Sequence, residues 1–337
     1  MKVRLIYIVT VWICICGSLS IAIEYDKITV KFYSGTSSRI YSDFRLSDIN
    51  QLMTHKSFDK RRPTALYIFG WLQTVNSDVD SKLIDAYVRR GGYNFLVFDW
   101  SDYNTDLYST VEIRVPEVGR KAANAFLKLF NNGLNDQTFH CVGHSFGAHA
   151  CGFMGRKIQE SSKGRFKIGR ITGLDPSKFK TYSFGYEKPL QPSDAVFVDT
   201  IQSDGFFIGT RIPLGHVTFL PNNADVQPGC PPFRNDNFYN YISSYCSHLN
   251  AIRYWTQSLD PNRPHFFPAY KCSNWNDYMN GYCSKNPINY MGLDANPNTP
   301  GVFYLKLKSK KFFNHDKQYF DTNIAIGKKV AILFLPH

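Results

Sequence analysis

The 337-residue sequence predicts an α/β protein built on a mostly parallel central sheet with helices on both faces. Three observations carry this expectation. Apolar runs alternate with helical patterns, several of those runs are apolar throughout as doubly buried strands are, and no repeat, low-complexity tract or Pro/Gly-rich linker divides the chain. With 43% hydrophobic and 20% charged residues the chain can fill a large core, which excludes a disordered polymer. Residues 23–337 are therefore expected to form one domain, since sheets flanked by helices commonly use about 250 residues as a unit.

Taken in order, the elements begin with a processing signal. Lys2 and Arg4 precede the uncharged stretch LIYIVTVWICICGSLSIAI, which ends in small residues before Glu24. Residues 1–22 thus read as a secretory signal peptide, cleaved after Ser20 or Ala22, with an uncleaved anchor as the alternative. Strands are expected at 28–34 (ITVKFYS), 64–70 (TALYIFG), 94–100 (NFLVFDW), 138–143 (TFHCVG), 168–174 (IGRITGL) and 195–201 (AVFVDTI). A helix is expected over 115–130: Pro116 and Glu117 mark its start, Val118, Ala122, Ala125, Phe126 and Leu129 share a face, and Asn131–Asn132–Gly133 stops it. A second helix follows from Phe146 to Ile158. The last 35 residues read as β-rich, with an alternating strand at Val302–Leu307 that extends or flanks the same sheet. In such sheets ligands bind beyond the carboxyl ends of the strands, so catalytic residues should follow strands.

Lys plus Arg outnumber Asp plus Glu by 39 to 27, a formal +12. The charges are scattered apart from Lys308–Lys311, and neither zinc-finger spacing nor an RNP-like string occurs, so nucleic acid is not an expected partner. Losing Lys2 and Arg4 with the signal leaves 12 − 2 = +10, read either as attraction to anionic lipid or as ordinary solvated charge. Cys14 and Cys16 leave too, and the six remaining cysteines suggest disulfides in an exported chain. Spacing favours two local loops, Cys230 to Cys246 and Cys272 to Cys283. Cys141 and Cys151 lie four before and six after Ser145, at similar depth on a strand and a helix running back to back. A bridge between them and a pair of buried thiols are both open.

The chemistry centres on Gly143-His144-Ser145-Phe146-Gly147, a GxSxG string. Alone such a string is weak. Here an apolar strand ends at Gly143 and a helix begins at Phe146, the context of a nucleophile elbow that presents a serine hydroxyl above a sheet. A serine is a poor nucleophile without an imidazole to take its proton, and the imidazole needs an acid to fix its tautomer, in the chain order Ser, acid, His. Asp175 directly follows the apolar strand IGRITGL and precedes Pro176, whereas Asp194, Asp199 and Asp204 suit capping, core or turn roles. Among later histidines His248, just after Cys246 at a helix start, is favoured over His216, which suits a packed structural role. His144 and His149 lie too close to Ser145 for the required order. Two backbone N–H groups should stabilise the oxyanion: that of Phe146, and that of Trp71, beside a Gly70 that allows close approach.

At these residues the sequence resembles the pancreatic-lipase family, in particular its neutral lipase and phospholipase A1 members from insects. RRPTALYIFGW, NFLVFDW, FHCVGHSFGAHACGFMG, RITGLDP, PSDAVFVDTIQSDG, GHVTFLPN, QPGC and YCSHLNAIRYW fall in the family's order. The resemblance implies an α/β-hydrolase fold, a Ser145–Asp175–His248 triad that attacks carboxylic esters of lipids, and a lid bracketed by Cys230 and Cys246. It implies a lipid substrate at a lipid–water interface, peripheral membrane contact and no cofactor. Several departures qualify it. Phe69 replaces the usual histidine before Gly70, Gln202-Ser203-Asp204 replaces His-Thr-Asp, and Thr218 replaces an aspartate. In the loop YEKPLQPSDA only Asp194 matches a calcium-site carboxylate, and one carboxylate does not make a site of six to eight oxygens. The 15-residue lid PPFRNDNFYNYISSY is short, which favours phospholipase or galactolipase behaviour over triglyceride lipolysis without choosing among them. Its aromatics Phe233, Phe238, Tyr239, Tyr241 and Tyr245 would meet lipid or pack over the site. The accessory C-terminal domain of pancreatic lipase is not expected. Phe69 and Gln202 keep a second reading open, a catalytically weak or inactive lipid-binding or yolk-type homologue.

Overall fold

Eleven strands form one sheet in a computed structural model that describes residues 24–179 and 188–308. The signal-peptide reading and most of the expected β-rich C-terminus lie outside these residues. The strands are β1 (Thr29–Tyr33), β2 (Tyr41–Arg45), β3 (Thr64–Ile68), β4 (Asn94–Asp99), β5 (Phe139–His144), β6 (Arg170–Leu174), β7 (Phe197–Ile201), β8 (Val217–Pro221), β9 (Pro268–Lys271), β10 (Ile288–Tyr290) and β11 (Gly301–Leu305). The helices are α1 (Asp78–Arg90), α2 (Tyr108–Asn131), α3 (Phe146–Ser161), α4 (Asn237–Ser258) and α5 (Trp275–Met279). Across the sheet the order is β2-β1-β4-β3-β5-β6-β7-β8-β11-β9-β10.

The run from β4 to β11 is parallel throughout, and antiparallel pairs close both ends, β1–β2 against β4 and β9–β10 against β11. All six strands expected from apolar runs are present. The central ones sit where both faces are covered: every residue of β3, β5 and β7 is buried, Asp199 of β7 included. The chain leaves β3 toward β4 on one side, then returns to β5 on the other, pairing Ile68 with Gly143. That reversal is the switch point at which parallel sheets open a crevice beyond their carboxyl ends. It sets the loop after β3 beside the loop after β5, so Trp71 and Ser145 are neighbours by topology.

One helix boundary differs from expectation. α2 starts at Tyr108, not near Pro116, which lies inside it. Tyr108, Val111, Val115, Val118 and Ala122 form one buried stripe that runs straight through the proline. Pro116 cannot donate to the carbonyl of Glu112, an interruption worth about 3 kcal/mol in an isolated helix, and burial of this stripe against the core outweighs it.

Candidate active site

Ser145 is the single residue between β5 and α3. Its φ of 56° and ψ of −121° lie outside the regions an L-residue prefers, a strain of order 1–3 kcal/mol that its surroundings must hold. They do so by close packing. The Ser145 N–H donates to the Leu174 carbonyl on β6 at 3.0 Å, and the Cys141–Cys151 disulfide, with Cα atoms 5.9 Å apart, ties β5 to α3 across the turn. A β-carbon on Gly147 would fall 2.0 Å from the Ile68 carbonyl oxygen, so only glycine lets α3 start this close to β3. Phe146 is the first residue of α3, and its N–H is among the four that have no acceptor within the helix.

Asp175 follows β6 as expected, with φ of 41°. Its Oδ1 accepts from the N–H groups of Ser203 at 2.6 Å and Asp204 at 2.9 Å, which leaves Oδ2 to face His248 Nδ1 at 2.5 Å. With the proton on Nδ1, His248 presents a lone pair at Nε2. Burial pushes His248 down to about 4, so its imidazole is neutral at pH 7. Burial, reinforced by the neighbouring Asp204 carboxylate, pushes Asp175 up. Ser145 and His248 line one narrow pocket with Trp71, Gln73, Tyr108, His144, Ile208, Tyr241, Tyr245 and Leu249. Ser145 is only 4% exposed, and Tyr241 and Ile208, which line the same pocket, pack against Trp71.

His248 does not sit at a helix start. α4 begins at Asn237, where Asp236 caps it by accepting from the N–H groups of Phe238 and Tyr239 at 2.8 and 3.2 Å. The later half of the lid segment is therefore helical and continuous with the histidine's own helix, for no glycine or proline interrupts residues 237–258. The Cys230–Cys246 and Cys272–Cys283 bridges form as spacing suggested, and Cys141–Cys151 is bridged. His216 precedes β8 at the far end of the sheet and accepts from the Val198 N–H at 3.0 Å, a structural role. Asp199 pairs with Arg170 inside the sheet. Asp194 pairs with Arg156 at 3.1 Å and accepts from the Gln191 N–H, so the carboxylate matching a calcium site is committed elsewhere. Asp204 plays the largest part that sequence reasoning missed: its carboxylate accepts from Ile208 N–H at 2.8 Å, Gly209 N–H at 3.0 Å and Ser244 Oγ at 2.6 Å, joining the loop after β7 to α4.

His149, also buried, donates from Nε2 to the Ser177 carbonyl at 2.8 Å and accepts at Nδ1 from the Leu190 N–H at 3.1 Å. Burial lowers it to about 4 from 6.5. Between these values the unfolded chain binds a proton that the folded chain refuses, so the contribution is whole above pH 6.5 and is lost as pH falls toward 4. Its full size is about 3 kcal/mol. Asp80, raised to about 7 by burial, acts in the opposite sense over the same range. The readout is therefore a difference: the urea midpoint of His149→Gln relative to that of the parent should rise as pH falls from 6.5 to 4.5, because the variant lacks the stability that the parent loses at His149, and parallel curves would refute this.

The Lipase family model matches residues 23–313. The chain belongs to the lipase family. Among relatives of this lipase-family chain, phospholipase A1 member A of Bos taurus is 31% identical over 231 residues, covering 68% of this chain and 48% of that protein. The Mus musculus protein of the same name is 31% identical, covering 72% and 49%. Lipase member H of Mus musculus is 31% identical, covering 67% and 48%. The chain thus spans about half the length of these relatives. Among solved structures, MGS-M1, an alpha/beta hydrolase from a deep-sea metagenome library, aligns with 91% of this chain and 98% of that one at 15% identity and a TM-score of 0.32. The α/β-hydrolase fold of this lipase-family member rests on its own parallel sheet and on the strand, tight turn and helix around Ser145.

Proposed function

We propose that the protein is a secreted carboxylic-ester hydrolase that acts on lipids at a lipid–water interface through an acyl-enzyme. The observation that carries this reading is the His248 Nδ1–Asp175 Oδ2 contact of 2.5 Å, made by a histidine that shares a pocket with a serine on a strained elbow. Ser145 Oγ attacks the ester carbonyl while His248 Nε2 takes its proton. Asp175 holds the tautomer and stabilises the imidazolium. The N–H groups of Trp71 and Phe146 receive the developing oxyanion. His248 then gives its proton to the departing alcohol, leaving an acyl-serine, and water activated by the same histidine releases the fatty acid.

Lipid as substrate is supported by exposed aromatics next in sequence to the pocket residue Ile208. Phe206 and Phe207 are exposed, and Phe233 packs edge-on against Phe206 with ring centroids 4.6 Å apart. Phospholipid is favoured by the short lid segment and by the name of two relatives, phospholipase A1 member A. Export is supported by the signal-like residues 1–22 and the three disulfides. The test is fatty-acid release from phosphatidylcholine labelled at either acyl position, run beside trioleoylglycerol. Release from the sn-1 position alone is expected. A purified protein that binds these lipids and hydrolyses neither would overturn the proposal and leave the lipid carrier.

A further inference from the structure

We infer that Asn104 and Gln73 are positioning residues that clamp the two peptide planes flanking Gly70 and so aim the Trp71 N–H at the oxyanion, an inference that rests on the hydrolase reading above. Gly70 stands directly against the nucleophile: a β-carbon there would fall 2.7 Å from Ser145 Cβ. A trans peptide is planar, with its C=O and N–H pointing in opposite directions, and no cis peptide occurs among the described residues. Whatever grips the Gly70 carbonyl therefore sets the direction of the Trp71 N–H. Asn104 does this, donating from Nδ2 to the Gly70 oxygen at 2.8 Å and to the Gln73 oxygen at 2.8 Å. Its own main-chain carbonyl accepts from the Leu72 N–H at 3.0 Å.

The preceding plane is held as firmly. Gln73 Oε1 accepts from the Gly70 N–H at 2.7 Å, and Trp100 Nε1 donates to the Phe69 carbonyl at 2.9 Å. Phe69 itself carries no polar group, so the clamp comes wholly from other residues. Gln73 is anchored in turn, because its Nε2 donates to both Asp80 oxygens at 2.8 and 3.1 Å and Tyr67 donates to Asp80 Oδ1 at 2.5 Å. The same Oε1 is 2.6 Å from His144 Nδ1, and the His144 ring lies 4.4 Å from that of His248. All of these side chains are buried.

Both partners of Asn104 Nδ2 are carbonyl oxygens, so the orientation of the amide is fixed, and Asn104 Oδ1 is left buried with no partner among the described residues. A buried acceptor left unmade is a cost. It falls here on the residue that fixes the Gly70–Trp71 plane, as expected where donor geometry outranks stability.

The experiment follows labelling of the purified full chain by a fluorophosphonate. The end point counts folded sites, and the rate reports oxyanion geometry. Asn104→Ala and Gln73→Met should reach the wild-type end point about 10- to 100-fold more slowly. For a soluble short-chain ester, kcat should fall as the labelling rate does while KM stays within about twofold of wild type, since the lost interaction belongs to the transition state. The double variant Gln73→Glu/Asp80→Asn keeps an acceptor on the Gly70 N–H and a donor between the two side chains, and should recover most of the rate. Wild-type rates in Asn104→Ala or Gln73→Met, or a double variant as slow as Gln73→Met, would overturn the clamp. Should Asn104→Ala fail to fold, Gln73→Met and the double variant decide alone. A wild-type protein that does not label at all would remove the hydrolase reading itself, and the clamp with it.

Discussion

Asp175→Asn is expected to lower kcat by about 10⁴-fold while leaving the fold in place. The reasoning is geometric. One oxygen at position 175 accepts two main-chain N–H groups, from Ser203 and Asp204. An asparagine would keep its oxygen there and turn its NH₂ toward His248 Nδ1. His248 would then have to accept at Nδ1 and carry its proton on Nε2, facing Ser145 with a donor where the reaction needs a base. The substitution inverts the tautomer without creating a cavity, and it removes a carboxylate that burial already opposes. Thermal midpoints should therefore match the parent while turnover collapses. Ser145→Ala should cost at least as much and abolish fluorophosphonate labelling, since no other hydroxyl occupies the elbow. A kcat for Asp175→Asn within tenfold of wild type would remove Asp175 from the triad.

Arg170→Ala should produce the largest loss of stability, about 3–5 kcal/mol. Arg170 meets Asp199 with two parallel bonds of 2.8 and 2.9 Å and donates to the carbonyls of Gly292 and Leu293 at 2.8 Å each. Its guanidinium also lies over the rings of Phe197 and Trp255, at 5.3 and 5.5 Å. Asp199 is wholly buried on β7. Truncation would leave that carboxylate with Thr172 Oγ1 at 2.7 Å and no cation, and would strand two carbonyls of the loop after β10. The control is Lys82→Ala, whose partner Asp78 lies one helical turn away with both side chains more than half exposed. Exposed pairs of that kind contribute under about 1 kcal/mol. Urea midpoints measure both, and a shift for Arg170→Ala no larger than that for Lys82→Ala would refute the account.

What the sequence made legible follows from where information is local. β3, β4, β5, β6 and β7 were readable because strands buried on both faces are rich in apolar residues, and the placing of Ser145 and Asp175 just beyond strands was readable because each follows such a run. β2, β9 and β10 were not. They are short strands of mixed exposure in the antiparallel pairs at the two ends of the sheet. The start of α2 was misplaced because a local proline rule met a buried stripe visible only once the core is assembled. His248 was singled out by order and spacing, yet its place within α4 was hidden because the helix start expected after Cys246 lies at Asn237, inside the lid segment. The Asn104–Gln73–Asp80 network left no local signature. It exists because β3 and β4 are neighbours, and only their register brings residues 70 and 104 together.

The continuity of α4 restricts how Ser145 can be reached. Ser244 and His248 stand one turn apart on this helix, the first bonded to Asp204 and the second to Asp175. Between them Cys246 is fastened to Cys230. If Tyr241 swings aside to admit an acyl chain, a helix that moved as a rigid rod would carry His248 away from Asp175. Any motion that keeps the His248–Asp175 contact would have to end near Cys246, making that residue the fulcrum, with the residues before it as the lever and those after it held beside Asp175.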